Sequence, residues 1–130
     1  SIRRQRQMCI RDSGYVAVAL HSSCEVGVDI EQYGTRVRKV ASRFIRSDEE
    51  PAMMEGDDVY ALLLHWSAKE ALFKLMGVEE VDFIRHLRIF PFSLSEEGEF
   101  EAREYRTGRQ ERYRVRYVTH PDFVLTWIIK

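Results

Sequence analysis

Cysteine is nearly absent from this 130-residue chain, with only Cys9 and Cys24. Two cysteines build neither a disulfide framework nor a zinc site. Both lie in or beside apolar, strand-like runs, where a free cysteine behaves as a small buried hydrophobe. A reducing cytoplasm fits that usage. No apolar run approaches the roughly 20 residues that span a bilayer, and no charged-then-apolar leader opens the chain. This reading excludes a membrane span and gives no sign of secretion. An excess of one charge is also missing. Lys and Arg number 20 against 21 Asp and Glu, a net of −1, so nothing draws the whole chain toward nucleic acid. The four histidines, His21, His65, His86 and His120, show no metal-ligand spacing. His65 reads as a packed or surface histidine rather than a catalyst.

What remains is ordinary for a single globular domain over 1–130: 45% apolar and 32% charged residues, with room for one core. Sixteen of the 20 basic residues are Arg. Arg3, Arg4, Arg6 and Arg11 crowd the start, which reads as a basic arm or a solvated tail, the tail being the commoner outcome. A stripe of Arg112, Arg114 and Arg116 alternates with Tyr113, Val115 and Tyr117. No nucleic-acid motif accompanies it, and Glu101, Glu104 and Glu111 offer partners.

The apolar period divides the chain. Residues 15–20 and 25–31 read as two short strands joined by a turn at Ser22-Ser23, hence antiparallel. Val37, Val40, Ala41 and Phe44 form one stripe of a helix over 37–45. Ser47 followed by Asp48, Glu49 and Glu50 predicts a capped helix start, with Glu50 completing a capping box. Gly56-Asp57-Asp58 leads to the longest helix, 59–76, which Gly77 ends. Beyond it the period becomes two, with strands over 86–94, 99–105, 111–119 and 123–129 and turns at Glu97-Gly98 and Thr107-Gly108. The fold class is α+β: an antiparallel sheet packed against a long helix, with about three helices in all.

Two segments carry chemistry. In Gly27-Val28-Asp29-Ile30-Glu31, a strand period of two puts Asp29 and Glu31 on one face. In Trp66-Ser67-Ala68-Lys69-Glu70-Ala71-Leu72-Phe73-Lys74, a helical period puts Ser67, Glu70 and Lys74 on one stripe. Carboxylates beside lysines are what a Mg²⁺–phosphate site needs, since Mg²⁺ takes hard oxygen ligands. Glu70 so placed also suits a general base. Gly27 would admit a neighbouring backbone or a ligand close to the strand. On spacing alone the ordinary reading is the commoner one: a solvated i, i+4 pair of Glu70 and Lys74, and charges guarding an edge strand.

Taken together and in order, the two segments resemble the signature of the 4′-phosphopantetheinyl transferase superfamily. That signature is a Gly-(Ile/Val)-Asp strand with an acidic residue two further on, then an aromatic residue and Lys-Glu-(Ala/Ser)-x-x-Lys. The resemblance extends over about residues 8–130. It implies transfer of the phosphopantetheine arm of coenzyme A to a serine of an acyl or peptidyl carrier protein, with Mg²⁺ as cofactor. Asp29, Glu31 and Glu70 would hold the metal, and Glu70 would deprotonate the carrier serine. Lys74, with Lys69 beside it, would hold coenzyme A phosphates. Where family members carry Ser-His-(Ser/Thr), this chain has Cys9-Ile10-Arg11-Asp12-Ser13-Gly14-Tyr15. Alignment on Tyr15 puts Arg11 at the histidine, as a permanently charged phosphate ligand, and Asp12 at the hydroxyl residue. A one-residue gap instead puts Asp12 at the histidine. The chain matches the second half of the two-halved type, or a shortened version of it. A preceding half, with residues 1–8 as its remnant, or a homo-oligomer is then expected to complete the cleft. The resemblance also covers a non-catalytic relative that binds a carrier protein or nucleotide.

Overall fold

The computed structural model describes residues 25–51 and 57–130. The strand expected over 15–20, Cys9, Cys24, the basic arm and the Arg11-Asp12 pair lie outside the described residues. Among these, five strands form one antiparallel sheet: β1 (Val26–Gln32), β2 (Leu87–Ile89), β3 (Glu97–Glu104), β4 (Arg112–His120) and β5 (Phe123–Ile129). Their order is β1-β5-β4-β3-β2, so the first strand pairs with the last. Two helices complete the set: α1 (Val37–Val40), continued by a 3₁₀ turn at Ala41–Arg43, and α2 (Val59–Met76). The fold is α+β, a curled antiparallel sheet against an 18-residue helix.

Period two in β3, β4 and β5 directs Phe100 and Ala102, Tyr113, Val115 and Tyr117, and Val124 and Ile128 to the inner face, where all are buried. The helix meets them with Leu64, Ala68, Ala71, Leu72 and Leu75. The outer face of β3 and β4 is a charged ladder, in which Arg114 and Arg116 pair with Glu99 and Arg112 pairs with Glu101. Those arginines are partnered across the strands. Glu104, one of the partners expected for them, is buried instead and accepts from the Thr107 and Glu111 backbone N–H groups at 2.7 and 3.3 Å.

The ends of α2 follow their local chemistry. Gly77 adopts φ 64°, the left-handed conformation that closes a helix, and its N–H reaches the Phe73 carbonyl. At the other end the carboxylate that caps is Asp57, which accepts the Val59 N–H at 2.9 Å; the Asp58 side chain makes no cap and pairs with Arg38. No described helix is long and apolar enough to cross a membrane.

Four elements depart from expectation. The helix over 37–45 holds only for one turn before tightening to 3₁₀, because Val37, Val40, Phe44 and Ile45 are poor helix formers. The tighter turn buries Phe44 completely. Residues 47–51 form no helix. Glu49, not Glu50, reaches back to the Arg46 N–H at 2.8 Å, while its own N–H closes a turn onto the Arg46 carbonyl. The strand over 86–94 stops at Ile89, since Pro91 has no N–H to donate. Glu97-Gly98 is not a turn but the start of β3. Gly98 pairs with Tyr117, and a Cβ there would lie 3.0 Å from the Tyr117 hydroxyl.

Candidate functional site

The site begins where α2 touches β1. A Cβ on Gly27 would fall 2.4 Å from the Ala71 carbonyl oxygen and 2.9 Å from Leu75 Cβ. Glycine is therefore needed for the helix backbone to approach the strand, and the close neighbour is α2 itself. Asp29 and Glu31 follow on the same face of β1. Opposite Asp29 in the sheet stands Thr126 of β5. The Ser67 and Thr126 hydroxyls share a hydrogen bond at 2.8 Å, and Ser67 Oγ lies 3.3 Å from the Asp29 carbonyl. This buried pair joins α2, β1 and β5 at one point.

The functional side chains occupy the seam so formed. Asp29 is 2% exposed. Lys74 Nζ donates to its Oδ1 at 3.0 Å and lies 3.3 Å from the Val28 carbonyl. At the other end, Trp66 Nε1–H donates to Glu31 Oε1 at 2.6 Å, a charge-assisted contact. Trp66 is wedged between Phe44 and Phe83, with ring centroids 5.3 and 5.4 Å away. Glu70 lies one turn after Trp66 and one turn before Lys74, and is half-buried. The two residues that grip β1 thus bracket it. Beyond Glu31 a cavity of about 250 Å³ opens between β1, α1 and α2, lined by Gly34, Arg36, Val37, Leu63 and Trp66 among others.

Asp29, Glu31 and Lys74 therefore lie along one seam, and Glu70 sits on α2 between the two residues that reach β1. Lys69 is not with them. One residue of helix turns a side chain by about 100°, since a turn takes 3.6 residues, and Lys69 points into the interior. Its side chain is fully buried and donates to the Phe44 carbonyl at 2.5 Å, Glu49 Oε1 at 2.9 Å and the Phe83 carbonyl at 3.1 Å. Glu49, equally enclosed, also accepts the Ile89 N–H at 2.6 Å. Burial pulls the Lys69 pKa below the ordinary lysine value, and Glu49 works against that pull. Lys69 is a structural tie, not a phosphate ligand beside Lys74. His65, one turn before it, is 2% exposed, and its Nδ1 lies 2.9 Å from the Ala61 carbonyl. Burial lowers its pKa and favours the neutral ring.

The Trp66–Glu31 contact and the Glu49–Lys69 tie were both missed in the sequence. In sequence Trp66 reads as a core residue of the long helix and as the aromatic residue of the signature; its indole N–H, which needs a partner when partly buried, is the available signal. Glu49 reads in sequence as part of an acidic first helical turn.

The donor set suits a hard divalent cation, yet among the described residues no three His, Cys, Asp or Glu side chains gather to hold an ion unaided. Mg²⁺ rarely needs such a cage. It binds through one or two carboxylates and completes its shell with waters and substrate phosphates. Asp29 and Glu31 on one strand face are compatible with that requirement, and Asp29 already faces one cation, the Lys74 ammonium.

A sequence model of one family, described as the 4'-phosphopantetheinyl transferase superfamily, matches residues 25–128. The match contains both described helices, the seam and the described sheet except Ile129, the last residue of β5. No curated protein matches the chain.

Proposed function

The chain belongs to the 4′-phosphopantetheinyl transferase superfamily, and from that premise we propose that it moves the 4′-phosphopantetheine group of coenzyme A onto a serine of an acyl or peptidyl carrier protein in the cytoplasm. The observation that carries this reading is the seam itself: Asp29 and Glu31 on one face of β1, with Glu70 bracketed by Trp66 and Lys74 on α2.

The serine oxygen attacks the phosphorus that carries the pantetheine arm. A new P–O bond forms to serine, the diphosphate P–O bond breaks, and adenosine 3′,5′-bisphosphate leaves. Glu70 takes the serine proton, directly or through a water. Asp29 and Glu31 would hold Mg²⁺, with Glu70 joining them as coenzyme A completes the shell, and the ion would supply positive charge against the diphosphate. Lys74 adds a second cation to the same region, where charge gathers in the transition state. Ser67 and Thr126 keep α2 and β1 in register, and Trp66 fixes Glu31, so the carboxylates are held before substrate arrives.

The test is to incubate the protein with coenzyme A, Mg²⁺ and several apo-carrier proteins and to weigh the carriers. A gain equal to one phosphopantetheine group is expected on at least one carrier. No gain on any of them, while a known transferase modifies the same set, would refute the assignment. A carrier retained but unmodified would identify a binding module instead.

A further inference from the structure

Lys74 is bound to the very carboxylate that the transferase reading gives to the metal. Its side chain is 10% exposed and that of Asp29 is fully buried, so the pair is shielded from water on both sides. The 3.0 Å contact to Asp29 Oδ1 is backed by the Val28 carbonyl at 3.3 Å. An ammonium and a divalent cation on one enclosed carboxylate repel strongly, because little solvent screens them. The long, flexible stem of lysine gives the ammonium somewhere to go. Lys74 is one turn from Glu70, so a swing away from Asp29 keeps the ammonium at the seam, where a diphosphate would meet it.

We propose that Lys74 is the resident counter-ion of Asp29 and is displaced to the substrate diphosphate when metal and coenzyme A enter together. This rests on the transferase reading above. The free protein then binds a divalent cation poorly, and coenzyme A raises its affinity by taking the ammonium off the carboxylate as well as by adding phosphate ligands. Lys74 is in this sense a positioning residue that orders the assembly of the site, in addition to neutralising phosphate.

The experiment measures Mn²⁺ binding by calorimetry to the wild type, Lys74→Met and Lys74→Arg, each with and without coenzyme A. Without coenzyme A, Lys74→Met is expected to bind Mn²⁺ tighter than the wild type on the order of tenfold or more, from the loss of one nearby positive charge. Lys74→Arg keeps the charge and stays near the wild type. The gain in Mn²⁺ affinity on adding coenzyme A is expected to be smaller in Lys74→Met than in the wild type. Equal Mn²⁺ affinity of wild type and Lys74→Met overturns the counter-ion role and leaves the metal assignment standing. No Mn²⁺ binding by any form, with or without coenzyme A, overturns both. Should Lys74→Met fail to fold, a crystal structure of the wild type with Mg²⁺ and coenzyme A decides. Lys74 Nζ is expected on the diphosphate; Nζ still hydrogen-bonded to Asp29 Oδ1 overturns the proposal.

Discussion

Replacing Lys69 by Met separates the structural role found for this residue from the phosphate-binding role that its neighbourhood suggested. The ammonium and the Glu49 carboxylate are both fully enclosed, and Lys69 joins three backbone or side-chain acceptors from separate segments. Lys69→Met fills similar volume but leaves Glu49 charged and buried with only N–H donors. Breaking such a pair by removing one partner costs about 3–5 kcal/mol. For a domain of this size in urea, with a slope of about 1.5 kcal/mol per M, the unfolding midpoint should fall by about 2–3 M. The double variant Lys69→Met/Glu49→Gln removes the orphaned charge and keeps one of the two oxygens that accept from the Arg46 and Ile89 N–H groups, so it should recover about 1 kcal/mol. Coenzyme A affinity, measured at low temperature where the variant is folded, should stay within about twofold of the wild type, since surrounding contacts add independently when distant. A Lys69→Met protein as stable as the wild type but weakened toward coenzyme A would refute the reasoning.

Three further expectations follow from individual contacts. Gly27→Ala drives a methyl group to 2.4 Å from the Ala71 carbonyl and should cost about 1–3 kcal/mol in urea unfolding as α2 shifts off β1; no loss would mean that the helix does not press on the strand there. His65 is held neutral by burial, so as pH falls through its ordinary value of 6.5 the unfolded chain takes up the proton first. Stability should therefore drop below about pH 6.5, and His65→Leu should flatten that part of the profile; an unchanged slope in His65→Leu would exclude His65 as its source. Trp66→Phe retains the ring packing but removes the N–H to Glu31, and a loss of about 1 kcal/mol is expected by thermal unfolding, near the ordinary worth of one hydrogen bond; an unchanged melting temperature would mean that the bond adds nothing.

Much of the architecture was legible because local signals and global packing agree there. The bounds of α2 and of β5 are those that the apolar period and Gly77 predicted. The seam was legible for a related reason: strand and helix periods each fix a face, and Gly27 marks where the two faces touch. What failed had causes at longer range. The truncation of α1 depends on Phe44 filling the core, and the fate of Glu49 depends on a lysine 20 residues away. Adjacent residues such as Lys69 and Glu70 face different environments, and only the position of α2 over the sheet decides which one is enclosed. Pro91 was a signal that lay in plain view: a strand could not run through it in a paired position. Gly98 carried the opposite ambiguity, since a glycine demanded by Tyr117 looks, in sequence, like one demanded by a turn.

The central claim is that β1 and α2 together make one Mg²⁺-dependent site in which Glu70 takes the serine proton. The most direct measurement is the release of adenosine 3′,5′-bisphosphate from coenzyme A, followed by chromatography with an apo-carrier present, for the wild type and Glu70→Gln. The account predicts one bisphosphate released per carrier modified, dependent on Mg²⁺. It also predicts that release is lost in Glu70→Gln while the unfolding midpoint is unchanged. Release by Glu70→Gln at the wild-type rate, or no release by the wild type with a carrier that a known transferase accepts, would contradict it.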